Sequence, residues 1–450
     1  MINPVNPYHA DYGDTAGLAG APFAGRKEAF AHLYARLTDP VNTGGILFLG
    51  AQHMGKSALL HNVDNVFKET VVGIYISLRH VTPESEAYWL TSLADAATTG
   101  LIEHGFTLSR MSQLDPLGDN PRNWLEVNFL PQILGAVRRK VVLLIDDADR
   151  LLMAVRAGQL PSDSFAYLLS LTQKFQGFYI ALALDADFEN DVDEFEPLIK
   201  PEDVLRLSHL RPDETQWLLQ APVRGLYSVP DECALAVHRT VGGAPGLVQH
   251  FGYEFFRRWE TDPELNVFTL EDVKEITPSL YLYNEGDYRA VWDRLTANER
   301  LVLTAISDLV YNDPLGRLDA LAIQSWLVET DFPLDITAIN ATLRSLEYRE
   351  ILMPTPNGIS LSASMMQSWL LENARLGRRT TAAALSDAEG GEADDEPPPR
   401  FAVTPRLLRT LFIILVILVI ANIVAYAWVN SGSPNAPTNI QPTVTLANSR

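Results

Sequence analysis

Gly45-Ile46-Leu47-Phe48-Leu49 runs straight into Gly50-Ala51-Gln52-His53-Met54-Gly55-Lys56-Ser57, and Ala58-Leu59-Leu60 continues in a helical pattern. No other stretch restricts the fold as much. The apolar run bounded by glycine reads as a short buried strand, and the eight residues after it complete G-x-x-x-x-G-K-[ST]. Glycines let the backbone wrap closely, so that its N–H groups and the N-terminus of the following helix point at phosphate oxygens. The candidate phosphate-binding residues are therefore Gly50, Ala51, Gln52, His53, Met54, Gly55, Lys56, Ser57 and Ala58. Lys56 would reach the β- and γ-phosphates, and the Ser57 hydroxyl would ligate Mg²⁺. His53 reads as a loop residue rather than a catalytic one.

A second element belongs to the same chemistry. Val141-Val142-Leu143-Leu144-Ile145 is continuously apolar and rich in β-branched residues, as a strand buried on both faces should be, and it ends in Asp146-Asp147. A carboxylate at that end of a strand beside a phosphate loop holds a Mg²⁺–water shell, so Asp146 takes the metal and Asp147 the attacking water. Val71–Leu78, Phe178–Leu184 and Val204–Ser208 read as further strands of a parallel sheet. Asp185, at the end of one of them, has a structural reading that outweighs contact with phosphate through water, because an anion near phosphate is a poor direct sensor.

Asp+Glu 56 against Lys+Arg 35 gives a net charge of −21, and a field of that sign excludes the general coating of nucleic acid. The chain has 450 residues and 47% hydrophobic content, which excludes disorder for most of it and suits about two to four domains. The single cysteine, Cys233, forms neither an intrachain disulfide nor a thiolate cluster, in keeping with a reducing compartment. The first eight residues have no basic flank and no apolar stretch, so they are not a secretory signal.

These pieces resemble a STAND-type P-loop ATPase of the AAA+ group, related in plan to the origin-recognition ATPases, over about residues 6–372. The resemblance rests on Asn6-Pro7-Tyr8, Phe23-Ala24-Gly25-Arg26, the phosphate loop, Leu144-Ile145-Asp146-Asp147-Ala148-Asp149-Arg150, Leu207-Ser208-His209-Leu210 and Gly242-Gly243-Ala244-Pro245. It implies ATP and Mg²⁺ as ligands, and an adenine bracketed by Phe23, Arg26 and Pro245. The residues themselves equally describe a glycine turn between two helices, with Pro245 starting the second. Two departures stand out. Asp147 occupies a position where AAA+ hydrolases usually carry Glu, which favours slow, switch-like hydrolysis. The Gly-Gly turn lacks the lid arginine that many such proteins use as a sensor, and neither Arg150 nor Arg156 is singled out as an arginine finger.

Downstream, Leu295–Val310, Leu318–Thr330 and Ile336–Tyr348 have helical periodicity. Ile351–Met353 and Ile359–Leu361 flank a Pro-Thr-Pro-Asn-Gly turn, and Ser364–Leu376 closes as a helix, an order that resembles a winged-helix domain. Residues 285–372 carry 13 acidic and 6 basic residues, which favours packing or partner binding over DNA. Residues 377–405 hold an acidic cluster and Pro397-Pro398-Pro399 and read as a flexible linker. Leu411–Val429 is uncharged over 19 residues, about 28 Å as a helix, with Tyr426 and Trp428 at one end and Arg400, Arg406 and Arg409 before the other. Asn422 within it is tolerated, or bonds a neighbouring helix.

The expected architecture is thus an α/β fold with a P-loop core on a parallel sheet (1–209), a helical lid (210–284) and a winged helix (285–376). A linker (377–405), one transmembrane helix (406–429) and a polar tail (430–450) follow. The expected function is a membrane-tethered ATP-binding and ATP-hydrolysing conformational switch with its head in the cytoplasm. It binds ATP and ADP, meets the bilayer through 411–429, and has an unidentified protein partner. Confinement to one membrane favours a homo-oligomer. The alternatives are a DNA-associated initiator-like ATPase and a nucleotide-binding scaffold without turnover.

Overall fold

Alternate residues of each central strand enter two different cores. Ile46, Phe48, Val142, Leu144, Ala181 and Ala183 pack to one side of the sheet, and Leu47, Leu49, Leu143, Ile145, Leu182 and Leu184 to the other. That two-residue period makes the near-continuous apolar runs in the sequence, because both faces are covered by helices. The computed structural model describes residues 4–9, 21–39, 43–79, 81, 83–106, 120–314, 316–356 and 358–374. The expected linker, membrane span and tail lie outside the described residues. Among those described, no helix is long and apolar enough to cross a membrane.

The core runs α1 (Lys27–Thr38), β1 (Gly45–Gly50), α2 (Lys56–His61), α3 (Val63–Phe67), β2 (Val71–Ser77) and α4 (Glu86–Glu103). A helix broken by a π-helical turn follows as α5 (Pro121–Trp124) and α6 (Leu130–Ala136), then β3 (Lys140–Asp146), α7 (Asp149–Arg156), α8 (Ser164–Lys174) and β4 (Phe178–Asp185). A 3₁₀ segment over Ala186–Phe195 leads towards β5 (Val204–Arg206). All five strands are parallel, in the order β2-β3-β4-β1-β5. The direction of winding reverses at β1, between β4 and β5, which opens a crevice at the carboxyl edge. Register aligns the chemistry there: Gly50 pairs with Asp185, and Ser77 with Asp146. The fifth strand ends two residues earlier than the sequence suggests, because the Ser208 carbonyl is taken by the Arg26 guanidinium instead of a strand partner.

The lid comprises α9 (Pro212–Gln220), α10 (Asp231–Val241), α11 (Pro245–Thr261) and the first part of α12 (Leu270–Asp293). Tyr8 is buried in the lid core, its ring against Gly252, and its hydroxyl donates to the Leu218 and Leu219 carbonyls. The remaining elements are α13 (Ala297–Asn312), α14 (Ala320–Glu329), α15 (Ile336–Tyr348), the antiparallel pair β6 (Leu352–Thr355) and β7 (Gly358–Leu361), and α16 (Ser364–Asn373). This is the helix order and wing expected of the third domain. Its boundary is not where the sequence suggested: α12 runs unbroken through 284/285. Val273, Ile276 and Leu280 pack into the lid, and Tyr288, Val291 and Trp292 against the core of the third domain. Pro278 removes one helical hydrogen bond, and packing at both ends holds the helix across it.

Candidate phosphate-binding cleft

Gly55, at φ 76°, gives the loop the left-handed turn that starts α2, a conformation β-carbon-bearing residues disfavour. Its helix N-terminus opens into a cleft of about 740 Å³. Ala51 to Ala58 line the cleft, as do Asp146, Asp147, Phe23, Arg26 and Pro245. Gly50 lies just behind the wall, where its carbonyl accepts from Lys56 Nζ at 2.6 Å. The same ammonium donates to Ala51 O at 2.9 Å and to Asp185 Oδ2 at 3.1 Å. Asp185 is therefore the counter-ion of the loop lysine.

Asp146 is 2% exposed, on the sheet face that carries α2. Its Oδ2 accepts from the Tyr75 hydroxyl at 2.8 Å and its Oδ1 from the Asp147 N–H at 3.0 Å. Asp147 takes a left-handed backbone, φ 55°, which turns its carboxylate sideways. Ser77 Oγ donates to it at 3.0 Å and Arg79 at 3.3 Å. Asp149 faces the same cleft; burial raises its pKa above the ordinary carboxylate value, and the charges of Asp147 and Asp185 add to that. Three carboxylates on one side of the cleft favour a cation or a proton there. Among the described residues, no group of three or more His, Cys, Asp and Glu forms a cage for a metal ion. A Mg²⁺ at Ser57 and Asp146 would draw its other ligands from phosphate and water.

The other wall belongs to the lid and the segment before α1. Arg26 also has a left-handed backbone, and its guanidinium donates to Met54 O at 2.6 Å and to Ser208 O. It thus ties the phosphate loop to the exit of β5. Burial lowers its pKa below the ordinary arginine value, against the pull of Glu214 and Glu350. Gly246, at the start of α11, donates its N–H to His53 O at 3.1 Å, and a Cβ on Gly55 would lie 3.8 Å from Pro245 Cβ. His53 Nε2 meets Asp287 Oδ2 of α12 at 3.0 Å. Backbone and side-chain contacts together hold the lid against the loop.

Tyr75, Ser77, Arg79, Asp287 and the 3₁₀ segment after β4 escaped the sequence reading. Tyr75 and Ser77 left one signal, polar atoms at alternate positions of an otherwise apolar strand. In the 3₁₀ segment Asp187 donates its N–H to Asp185 Oδ1 at 3.1 Å, and its carboxylate pairs with Arg294 at the end of α12. Glu189 accepts from Arg206 at 2.7 Å and from the Tyr348 hydroxyl of α15 at 2.5 Å. Glu350, just after α15, accepts from the His209 N–H at 2.9 Å. Arg150 lines the cleft, whereas Arg156 is committed to Asp191 and Glu194 outside it.

No protein-family model matches the chain, and no curated protein matches it. Among solved structures it is similar to the Walker-type ATPase of Pyrococcus abyssi, at 18% identity and TM-score 0.50, over 78% of this chain and 96% of that one. It is also similar to the ORC2 protein of Aeropyrum pernix, solved in ADPNP–ADP complexes, at 12% identity and TM-score 0.50, over 86% and 98%. At these identities the likeness is one of fold alone, a parallel five-stranded core with a helical lid.

Proposed function

We propose that this chain is an ATP-binding, slowly ATP-hydrolysing switch of the STAND type, held at a membrane by 411–429 with its head in the cytoplasm. One observation carries the nucleotide part. Lys56, Ser57, Asp146 and Asp147, from loop and strand ends far apart in sequence, face a single cleft that the lid closes through Gly246 and Pro245. Phosphates entering that cleft compete with Gly50, Ala51 and Asp185 for the Lys56 ammonium. Release of Asp185 loosens the 3₁₀ segment whose Asp187 and Glu189 hold α12 and α15, so occupancy of the loop is felt by the winged helix. When bound, Mg²⁺ supplies charge neutralisation at the β- and γ-phosphates, with Ser57 and Asp146 as its protein partners. Asp147 is pinned by Ser77 and Arg79, which supports slow turnover.

The test is calorimetric titration with Mg-ATP. Lys56→Ala should weaken binding about tenfold or more, since an ammonium–phosphate contact is lost. Unchanged affinity would remove the phosphate-loop reading. The initiator-like alternative is disfavoured by the 13 acidic and 6 basic residues of 285–372. Random duplex at physiological salt should bind that module no better than about 10⁻⁴ M. A sub-micromolar complex lost on Arg344→Ala would reverse the ranking.

A further inference from the structure

Ser77 pairs with Asp146 across the sheet, so Tyr75, two residues earlier on β2, stands on the same face as the Asp146 carboxylate. Its hydroxyl donates to Asp146 Oδ2 at 2.8 Å, while the Asp147 N–H donates to Oδ1 at 3.0 Å. A carboxylate rotates about its last bond with only a broad, two-fold preference. One donor on each oxygen removes that freedom and still leaves each oxygen able to accept again. The phenol is itself held from behind. The His61 ring lies against it, with centroids 3.9 Å apart and planes 34° from parallel. His61 Nε2 is sealed from water and has no hydrogen-bond partner, so the imidazole acts on Tyr75 through contact of the two rings.

His61 also ends α2, the helix in which Ser57 is the second residue, and residues four apart share a helix face. The helix that offers the Ser57 hydroxyl therefore carries, one turn on, the ring that backs Tyr75, and Tyr75 holds Asp146. Ser57 and Asp146 come from distant parts of the chain, and His61 and Tyr75 tie them together from behind the cleft wall. We propose that Tyr75, backed by His61, is a positioning residue for Mg²⁺: it fixes the rotation of the Asp146 carboxylate, so that nucleotide is held as its Mg²⁺ complex in preference to the free anion. The inference rests on the nucleotide-site reading above. Donors that orient a metal-binding carboxylate govern metal affinity by about ten- to a hundredfold.

Equilibrium binding of ATP to the full-length protein, with Mg²⁺ in excess and separately in EDTA, tests this without requiring turnover. The wild-type protein should bind the Mg²⁺ complex about tenfold or more tightly than the free nucleotide. Tyr75→Phe removes one oxygen and keeps the ring. It should bind metal-free ATP within about twofold of wild type and lose most of the gain from Mg²⁺. His61→Ala should lower the gain in the same direction, and His61→Phe, which restores a ring, should recover it. The two His61 variants keep the test open should Tyr75→Phe fail to fold. Tyr75→Phe or His61→Ala with the full wild-type gain would overturn the proposal while the nucleotide site stands. So would an equal loss with and without Mg²⁺, the tyrosine then serving the fold alone. A wild-type protein indifferent to Mg²⁺ would overturn the metal position and the proposal but leave the phosphate loop. Failure to bind ATP in either condition would overturn the site and the proposal together.

Discussion

Asp147 has a left-handed backbone, and its carboxylate is claimed by Ser77 and Arg79. Asn tolerates that backbone as well as Asp does, so Asp147→Asn removes charge without removing the turn. The variant should bind ATP as the parent does and release no phosphate in a single-turnover assay. Wild-type release by Asp147→Asn would take Asp147 out of the hydrolytic step. Lys56, Ser57 and the acidic pair were legible because their chemistry is local, with phosphate loop and strand end each complete within a few residues. Arg26 was legible only through a resemblance. Its guanidinium spans Met54 O and Ser208 O, joining backbone elements around the cleft whose edge it forms. Tyr75 and Ser77 were not legible as site residues. Their places depend on the pairing of Ser77 with Asp146 across two strands, which is a long-range fact.

At the scale of elements, the contacts between the core and the third domain are polar and partly exposed. Asp187–Arg294 leaves side chains 44% and 40% exposed, so breaking the pair should cost at most about 1 kcal/mol of global stability. Arg294→Ala should therefore leave the melting temperature within about 3 °C of wild type. Amide exchange should accelerate over 186–195 and at the end of α12, and ATP should accelerate the same amides in the wild-type protein. Global destabilisation with unchanged exchange in that segment would show that the pair serves folding rather than coupling. The element order of the third domain was readable from helical period and the Pro-rich turn, but its boundaries were not. Thr296 with Glu299 and Asp319 set the starts of α13 and α14 by capping the first free N–H groups, two residues inside the apolar runs. The passage of α12 across the expected domain boundary is decided by Leu280 on one side and Trp292 on the other. Periodicity reports a buried face without naming the core that buries it.

For the molecule as a whole, burial holds the pKa of His61, His209, His238 and His250 below the ordinary histidine value. Between that depressed value and about 6.5 the unfolded chain binds protons that the folded chain does not, so stability rises with pH through this window. Denaturant midpoints should fall as pH is lowered from about 7 towards 5, before the carboxylates titrate, and a flat profile over that range would refute this. Topology is the second prediction at this scale. The described fold lies within one compact unit, residues 1–385, and its four apolar cores are built from residues of that unit. A chain cut after Leu385 should therefore remain soluble and bind Mg-ATP with the affinity of the full chain. The full chain should partition with membranes, because the 19 uncharged residues from Leu411 to Val429 are long enough to cross hydrocarbon, which requires a span to satisfy its own backbone. Arg400, Arg406 and Arg409 precede the proposed span, and the next basic residue is Arg450, a bias from which the head should lie on the cytoplasmic side. In sealed vesicles with the cytoplasmic face outward, added protease should digest the head and spare a tag placed after Arg450. A digested tag with a protected head would invert the orientation, and a full chain that stays in the aqueous phase would remove the membrane from the proposal.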